Sequence, residues 1–268
     1  MLSEANGANK ALVELEHIDL TFNPGTVNET CLFEDFNFRV DRGEFVSVVG
    51  SNGSGKTSML NLICGTLSPE KGRILLDGED ITKVPEFKRS KRIGRVFQNP
   101  AKGTCPDLTI LENLSLADNK GKPFGLARGV NPAKRGEYRE LLSRLHMGLE
   151  DKLETAVGSL SGGQRQALAL LIATMTPIDL LILDEHTAAL DPKSSETVME
   201  LTLQAIEEKK LTALMVTHNL RFATDYGTRI VMMHEGRAHL DSYGRNKAEY
   251  DVDYLLKEFT EISIELGN

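Results

Sequence analysis

An α/β protein with a mostly parallel central sheet is the fold class that the sequence predicts, and three observations carry it. The runs FVSVVG (45–50), LLILDE (180–185) and ALMVTH (213–218) are apolar without strict alternation, as strands covered on both faces are. Helical periodicity lies between them. After SGGQRQ, for instance, Leu168, Leu171, Ile172 and Met175 fall at i, i+3, i+4 and i+7 on one face. The third observation is a change of character over residues 100–175, where polar, Gly/Pro-containing connections join helical segments and no buried-strand run occurs. That pattern predicts a helical lobe inserted into the α/β core.

The remaining elements follow in order. Residues 1–10 read as a frayed tail ahead of a single domain, 11–268, whose core covers about 11–99 and 176–268. VELEHIDLTF (13–22) alternates apolar and polar residues and predicts a half-exposed antiparallel strand. NPGTVNETCLF, after Phe22, reads as a long connection. RILLDG (73–78) ends in Asp-Gly, a hairpin signal, and RIGRVFQ (92–98) is a further short strand. The basic run KVPEFKRSKRIGR (83–95) reads as a solvated strand-and-turn face, with contact to a membrane surface or partner as the alternative. Asp191-Pro192 is an N-cap followed by proline at the first helical position, opening a helix to about Lys210. RIVMMHEG (229–236) is a fourth apolar run, and Val252, Leu255, Leu256 and Phe259 mark a last amphipathic helix.

Composition excludes several classes. The chain has 268 residues, 40% hydrophobic and 26% charged, which suits a packed globular domain. A net charge of −8 argues against a dedicated nucleic-acid binder. No apolar run is long enough to span a bilayer, and the first residues lack the basic and apolar regions of a signal peptide. Cys31, Cys64 and Cys105 are scattered and odd in number, as in a reduced cytosolic protein.

The chemistry begins at GSNGSGKTS (50–58), which follows a strand and precedes the apolar MLNLICG. Strand, glycine-rich loop, Lys-Thr and helix is the context of a P-loop. Gly50, Gly53 and Gly55 let the backbone of Ser51, Asn52, Ser54 and Ser58 wrap with its N–H groups toward phosphates. Lys56 supplies a positive charge to the β- and γ-phosphates of a nucleotide, and Thr57 a hydroxyl to Mg²⁺. LLILDE then ends a buried strand in Asp184, a candidate to hold Mg²⁺ through its hydration shell, and Glu185, a candidate base for an attacking water. Gln98 and His218 also stand at strand ends, where glutamine can orient water or touch Mg²⁺ and histidine can reach a γ-phosphate; singly, each also reads as a surface polar residue. LSGGQRQ (160–166) resembles a helix start able to hold an anion, yet it has neither a lysine nor a metal ligand.

From about Ala11 to Phe259 the ordered set GSNGSGKT, VFQN, LSGGQRQ, LLILDE, AALD and MVTH resembles the nucleotide-binding subunit of an ABC (ATP-binding cassette) transporter. The resemblance implies a P-loop NTPase of RecA-like core with an antiparallel β subdomain and the inserted α-helical subdomain at 100–175. It implies that Glu185 is the catalytic base, that His218 and Gln98 sense the γ-phosphate, and that Ser161, Gly162, Gly163 and Gln164 close on a nucleotide held by a second copy of the chain. Asp191 would lie in the loop crossing that interface. Phe22 is either the aromatic that stacks on adenine, a place usually held by tyrosine, or a half-buried strand residue. The proline usual after the Asp-Glu pair is replaced by His186, whose role stays open.

ATP and Mg²⁺ are the implied cofactors. The implied partners are a second nucleotide-binding subunit, integral membrane permease subunits docking near Gln98 and the helical lobe, and an extracytoplasmic solute-binding protein; nucleic acid is not among them. The chain would sit at the cytoplasmic face of the membrane. A separate single cassette suggests a bacterial importer, and FNPGTVNE, DEHTAALDP and THNLRFATDYGTRIVMMHEGR resemble cassettes of amino-acid uptake. The alternatives are a soluble ABC ATPase of DNA repair or translation, and an exporter cassette.

Overall fold

A computed structural model describes residues 10–122 and 129–265 of the chain. The first half runs β1 (Ala11–Phe22), β2 (Thr30–Asp41), β3 (Phe45–Gly50), α1 (Lys56–Cys64), β4 (Lys71–Leu76), β5 (Glu79–Asp80), α2 (Glu86–Arg89) and β6 (Ile93–Val96). The second half runs α3 (Ile110–Asp118), α4 (Arg135–Ser143), α5 (Gly162–Thr174), β7 (Leu180–Asp184), α6 (Pro192–Lys209), β8 (Thr212–Val216), α7 (Leu220–Tyr226), β9 (Arg229–His234), β10 (Arg237–Asp241) and α8 (Val252–Glu265).

Two sheets result. The larger has strand order β10-β9-β3-β8-β7-β6, parallel throughout except for the antiparallel edge strand β10. Every residue of β3 and β8 is buried, which is why their sequences do not alternate. The smaller sheet, β2-β1-β4-β5, is antiparallel. The β4–β5 hairpin turns at Asp77 and Gly78, with φ of 55° and 80°, the left-handed pair that a two-residue turn requires. α1 is sandwiched into the apolar cluster that joins both sheets, through Met59, Leu60, Leu62 and Ile63. A separate cluster lies among the helices, where Ile110, Leu114, Tyr138, Leu142 and Leu168 pack together.

Two readings of the sequence need correction. The stretch after Phe22 is not one long connection: Thr30, Cys31 and Phe33 pair with Phe22, Thr21 and Leu20, so β2 begins at Thr30 and residues 23–29 make the turn. The pairing partner lies on β1, outside the stretch itself, which is why composition missed it. The basic run 83–95 is also not one solvated face. Its lysines are exposed, but Arg89 is 3% exposed and donates to the carbonyls of Val84, Leu62, Ile63 and Thr82. Arg92 pairs with Asp179 at 2.6 Å, and Arg95 reaches Asn61 and Asp184. The guanidinium fork satisfies several acceptors at once, so arginine can go inside where lysine stays out.

Candidate active site

The sheet order assembles the site. β3, β8, β7 and β6 are neighbours and run parallel, so their carboxyl ends fall along one edge. That edge carries Gly50 and the P-loop, then His218, then Asp184 and Glu185, then Gln98. The crevice beyond the carboxyl ends is where open α/β sheets bind ligands.

The P-loop is pressed onto the core. A Cβ at Gly50 would lie 2.2 Å from the Met233 carbonyl oxygen, and one at Gly55, which has φ of 101°, would lie 2.8 Å from the Phe33 ring. Only glycine lets the backbone pass so close. Ser51, Asn52 and Gly53 stay exposed at the tip, while Ser54 is buried and its carbonyl accepts from the Gly236 N–H at 3.1 Å. Gly55 caps α1, so Lys56, Thr57 and Ser58 form the first helical turn, where unpaired N–H groups and the helix dipole favour an anion. Lys56 Nζ donates to the Gly50 and Ser51 carbonyls, both at 2.7 Å, and lies 3.4 Å from Ser54 Oγ. Burial pushes its pKa below the ordinary lysine range, and the Glu185 carboxylate partly restores it. A buried ammonium held by its own loop, beside an open helix start, fits a triphosphate. The hydroxyl of Thr57, the carboxylate of Asp184 and the amide of Gln98 are hard oxygen donors of the kind Mg²⁺ takes.

Glu185 is set by backbone geometry. It adopts a left-handed φ of 48°, its N–H donates to the Val216 carbonyl at 2.9 Å, and its carbonyl accepts from Ala188 at 2.9 Å. Its Oε1 lies 2.9 Å from His218 Nε2, joining the ends of β7 and β8. A non-glycine residue holds that backbone region only where its surroundings fix it, as the two backbone hydrogen bonds fix Glu185. Asp184 Oδ2 accepts from Arg95 Nη2 at 2.6 Å. Gln98 is exposed, and the preceding Phe97 carbonyl accepts from Gln166 Nε2 of α5 at 2.9 Å, tying this strand end to the helical region.

Sequence reasoning missed Arg95, which looks like one more charge of a basic run. It left His186 open, and the fold answers part of that question. His186 is 2% exposed, and its Nε2 lies 3.2 Å from Thr202 Oγ1. Thr202 gives its proton to the Val198 carbonyl at 2.7 Å, so the imidazole Nε2–H is the donor. Burial drives the His186 pKa down to about 4 and keeps the ring neutral.

Three other expected site segments are held by contacts of their own. Ser161 caps α5: its Oγ accepts from the Gln164 N–H at 3.3 Å, and Gln164 Oε1 accepts from the Ser161 N–H at 3.2 Å. Gln164 Nε2 also donates to the Met147 carbonyl at 3.1 Å. Gly163 is buried against Ser194 of α6, and Gly162 is half-buried. Asp191 caps α6 by accepting from the Ser194 N–H at 3.0 Å. Phe22 ends β1 half-buried, packed against the main apolar cluster.

A P-loop, a buried lysine and an Asp-Glu pair on one parallel sheet edge define a nucleotide-hydrolysing P-loop enzyme, an ATPase. The chain belongs to the ABC transporter family, whose sequence profile matches residues 33–188. It is 42% identical over 248 residues to the tyrosine transport ATP-binding protein of Clostridioides difficile, covering 92% of this chain and 98% of that one. It is 32% identical to the spermidine/putrescine import ATP-binding protein of Haemophilus influenzae, with 94% of this chain and 63% of the relative aligned. Among solved structures, the dimeric post-hydrolysis state of the ATP-binding cassette MJ0796 bound to ADP and Pi superimposes with a TM-score of 0.73 at 29% identity, covering 85% of this chain and 97% of that one.

Proposed function

We propose that the chain is the ATP-hydrolysing subunit of an importer for a small solute, an aromatic amino acid first among the candidates. The observation that carries the ATPase half is the meeting of Lys56, held at the end of β3 by the Gly50 carbonyl, with Glu185 and His218 at the ends of the nearby strands β7 and β8. The 42% identity to a tyrosine transport subunit over nearly both full lengths supports the choice of solute. It works with integral membrane permease subunits at the inner face of the membrane, and a solute-binding protein delivers the cargo to them. The helical segment 100–175 and the core 11–99 with 176–268 would act as two parts of one cassette.

The mechanism follows from the residues. Lys56 exchanges its two loop carbonyls for β- and γ-phosphate oxygens, together with the N–H groups opening α1. Thr57, Asp184 and Gln98 would hold Mg²⁺, which neutralises phosphate charge when bound. Glu185 takes a proton from the attacking water, and His218 Nε2, which faces Glu185 Oε1 without nucleotide, exchanges that partner for a γ-phosphate oxygen. Phosphoryl transfer asks mainly for positioning and charge stabilisation, so no covalent step is required of the protein. Ser161, Gly162, Gly163 and Gln164 reach the nucleotide of a second copy, since the anion-ready start of α5 has neither a lysine nor a metal ligand of its own. Asp191 faces the same interface, and Phe22 stacks on adenine at the open end of β1.

Uptake into proteoliposomes holding the permease subunits and this chain tests the solute. Labelled tyrosine should accumulate with MgATP and not with the Lys56→Ala chain. Accumulation of spermidine or methionine in its place would overturn the choice of solute.

A further inference from the structure

We infer that Arg95 is a positioning residue for the metal-side carboxylate, fixing one oxygen of Asp184 so that the other faces the ion. This rests on Asp184 being a Mg²⁺ ligand, as proposed above. Arg95 lies in the middle of β6, in register with Ile182 of β7, so its side chain can reach the end of that neighbour. Nη2 donates to Asp184 Oδ2 at 2.6 Å and Nη1 to Asn61 Oδ1 at 2.8 Å. The guanidinium carbon stands 4.7 Å from the centre of the Phe97 ring. Both members of the Arg95–Asp184 pair are largely shielded, with side chains 11% and 14% exposed.

The placement of Asn61 makes the bridge specific. Asn61 lies one turn after Thr57 on α1, on the same helix face. Arg95 therefore ties the helix that presents the Thr57 hydroxyl to the strand that presents the Asp184 carboxylate. Those two ligands come from elements that otherwise meet through apolar side chains of the main cluster, and their separation sets the size of an ion site. Mg²⁺ tolerates little departure from octahedral geometry, so a carboxylate free to rotate would bind it less well. A planar fork with two donors aimed at two acceptors, stacked on an aromatic ring, holds a fixed angle that an ammonium cannot. Partners of metal ligands elsewhere are worth about 10–100-fold in metal affinity.

The test is Mn²⁺ binding, followed by electron paramagnetic resonance, to the full chain saturated with ATP. Affinity for ATP without metal is measured alongside. Arg95→Met keeps the packing on Phe97 but donates nothing, and should weaken Mn²⁺ about tenfold or more while metal-free ATP affinity stays within about twofold. Arg95→Lys keeps the charge but offers donors from a single nitrogen, and should fall between. Asp184→Asn is the reference for the underlying reading. If Asp184→Asn weakens Mn²⁺ and Arg95→Met does not, the inference is wrong and the reading stands. If neither weakens Mn²⁺, Asp184 is not the ligand and both fail. Tighter Mn²⁺ binding by Arg95→Met would make the arginine a competitor of the ion, and equal loss with and without metal would make its role general packing; either overturns the inference.

Discussion

His186 should make the fold sensitive to mild acid, and the size of the effect follows from its burial. The ring is 2% exposed, and its pKa is lowered from 6.5 to about 4 because the charged form would have to leave water. Between those values the unfolded chain takes up a proton that the folded chain refuses. Stability is therefore present in full above pH 6.5 and is lost as pH falls toward 4. Each pH interval of one is worth about 1.4 kcal/mol, so the full loss is about 3 kcal/mol, of which about 2 kcal/mol appears between pH 7 and pH 5. His186→Gln keeps a side-chain N–H for Thr202 and cannot titrate. Urea unfolding of both proteins at pH 7, 6 and 5, at matched slope, measures the difference. The wild-type chain should lose about 2 kcal/mol more than the variant over that range. Parallel losses in the two proteins, within about 0.5 kcal/mol, would refute the placement of a neutral imidazole against α6.

Two further outcomes are expected. Glu185→Gln keeps the hydrogen bond to His218 but cannot take a proton, so phosphate release should fall by about 100-fold or more while ATP affinity holds; wild-type turnover would remove Glu185 from the base role. Cys31 and Cys105 are exposed, whereas burial raises the Cys64 thiol to about 11. A thiol reagent should label two cysteines quickly and the third about 100-fold more slowly until the chain is unfolded; three equal rates would contradict the packing of α1.

Much of this site is legible in the sequence because its chemistry is local. The P-loop needs glycines at fixed places, and Asp184-Glu185 ends a run of buried aliphatics, so short windows reveal both. The caps at Ser161 and Asp191 are local too, and both form as capping residues do. What sequence windows hide is pairing between distant elements. β2 looks like a loop until β1 supplies its partner. Arg89, Arg92 and Arg95 look solvated until α1, β7 and the loop before it supply carbonyls and carboxylates. His186 reads as a departure from the family pattern until Thr202, a residue of α6, accepts its proton. Nothing in the site edge alone explains why a lysine-free anion cradle exists at Ser161, and that is the point on which a second copy of the chain enters.

The most direct test of the shared site is the mass of the particle in solution. Light scattering on the Glu185→Gln chain should give 29.6 kDa without nucleotide and twice that with MgATP, because two copies close on two unhydrolysed nucleotides. Adding Ser161→Arg should hold the mass at 29.6 kDa while ATP still binds the intact P-loop. A particle that stays single at saturating ATP, or one that doubles equally well with Ser161→Arg, would contradict the account.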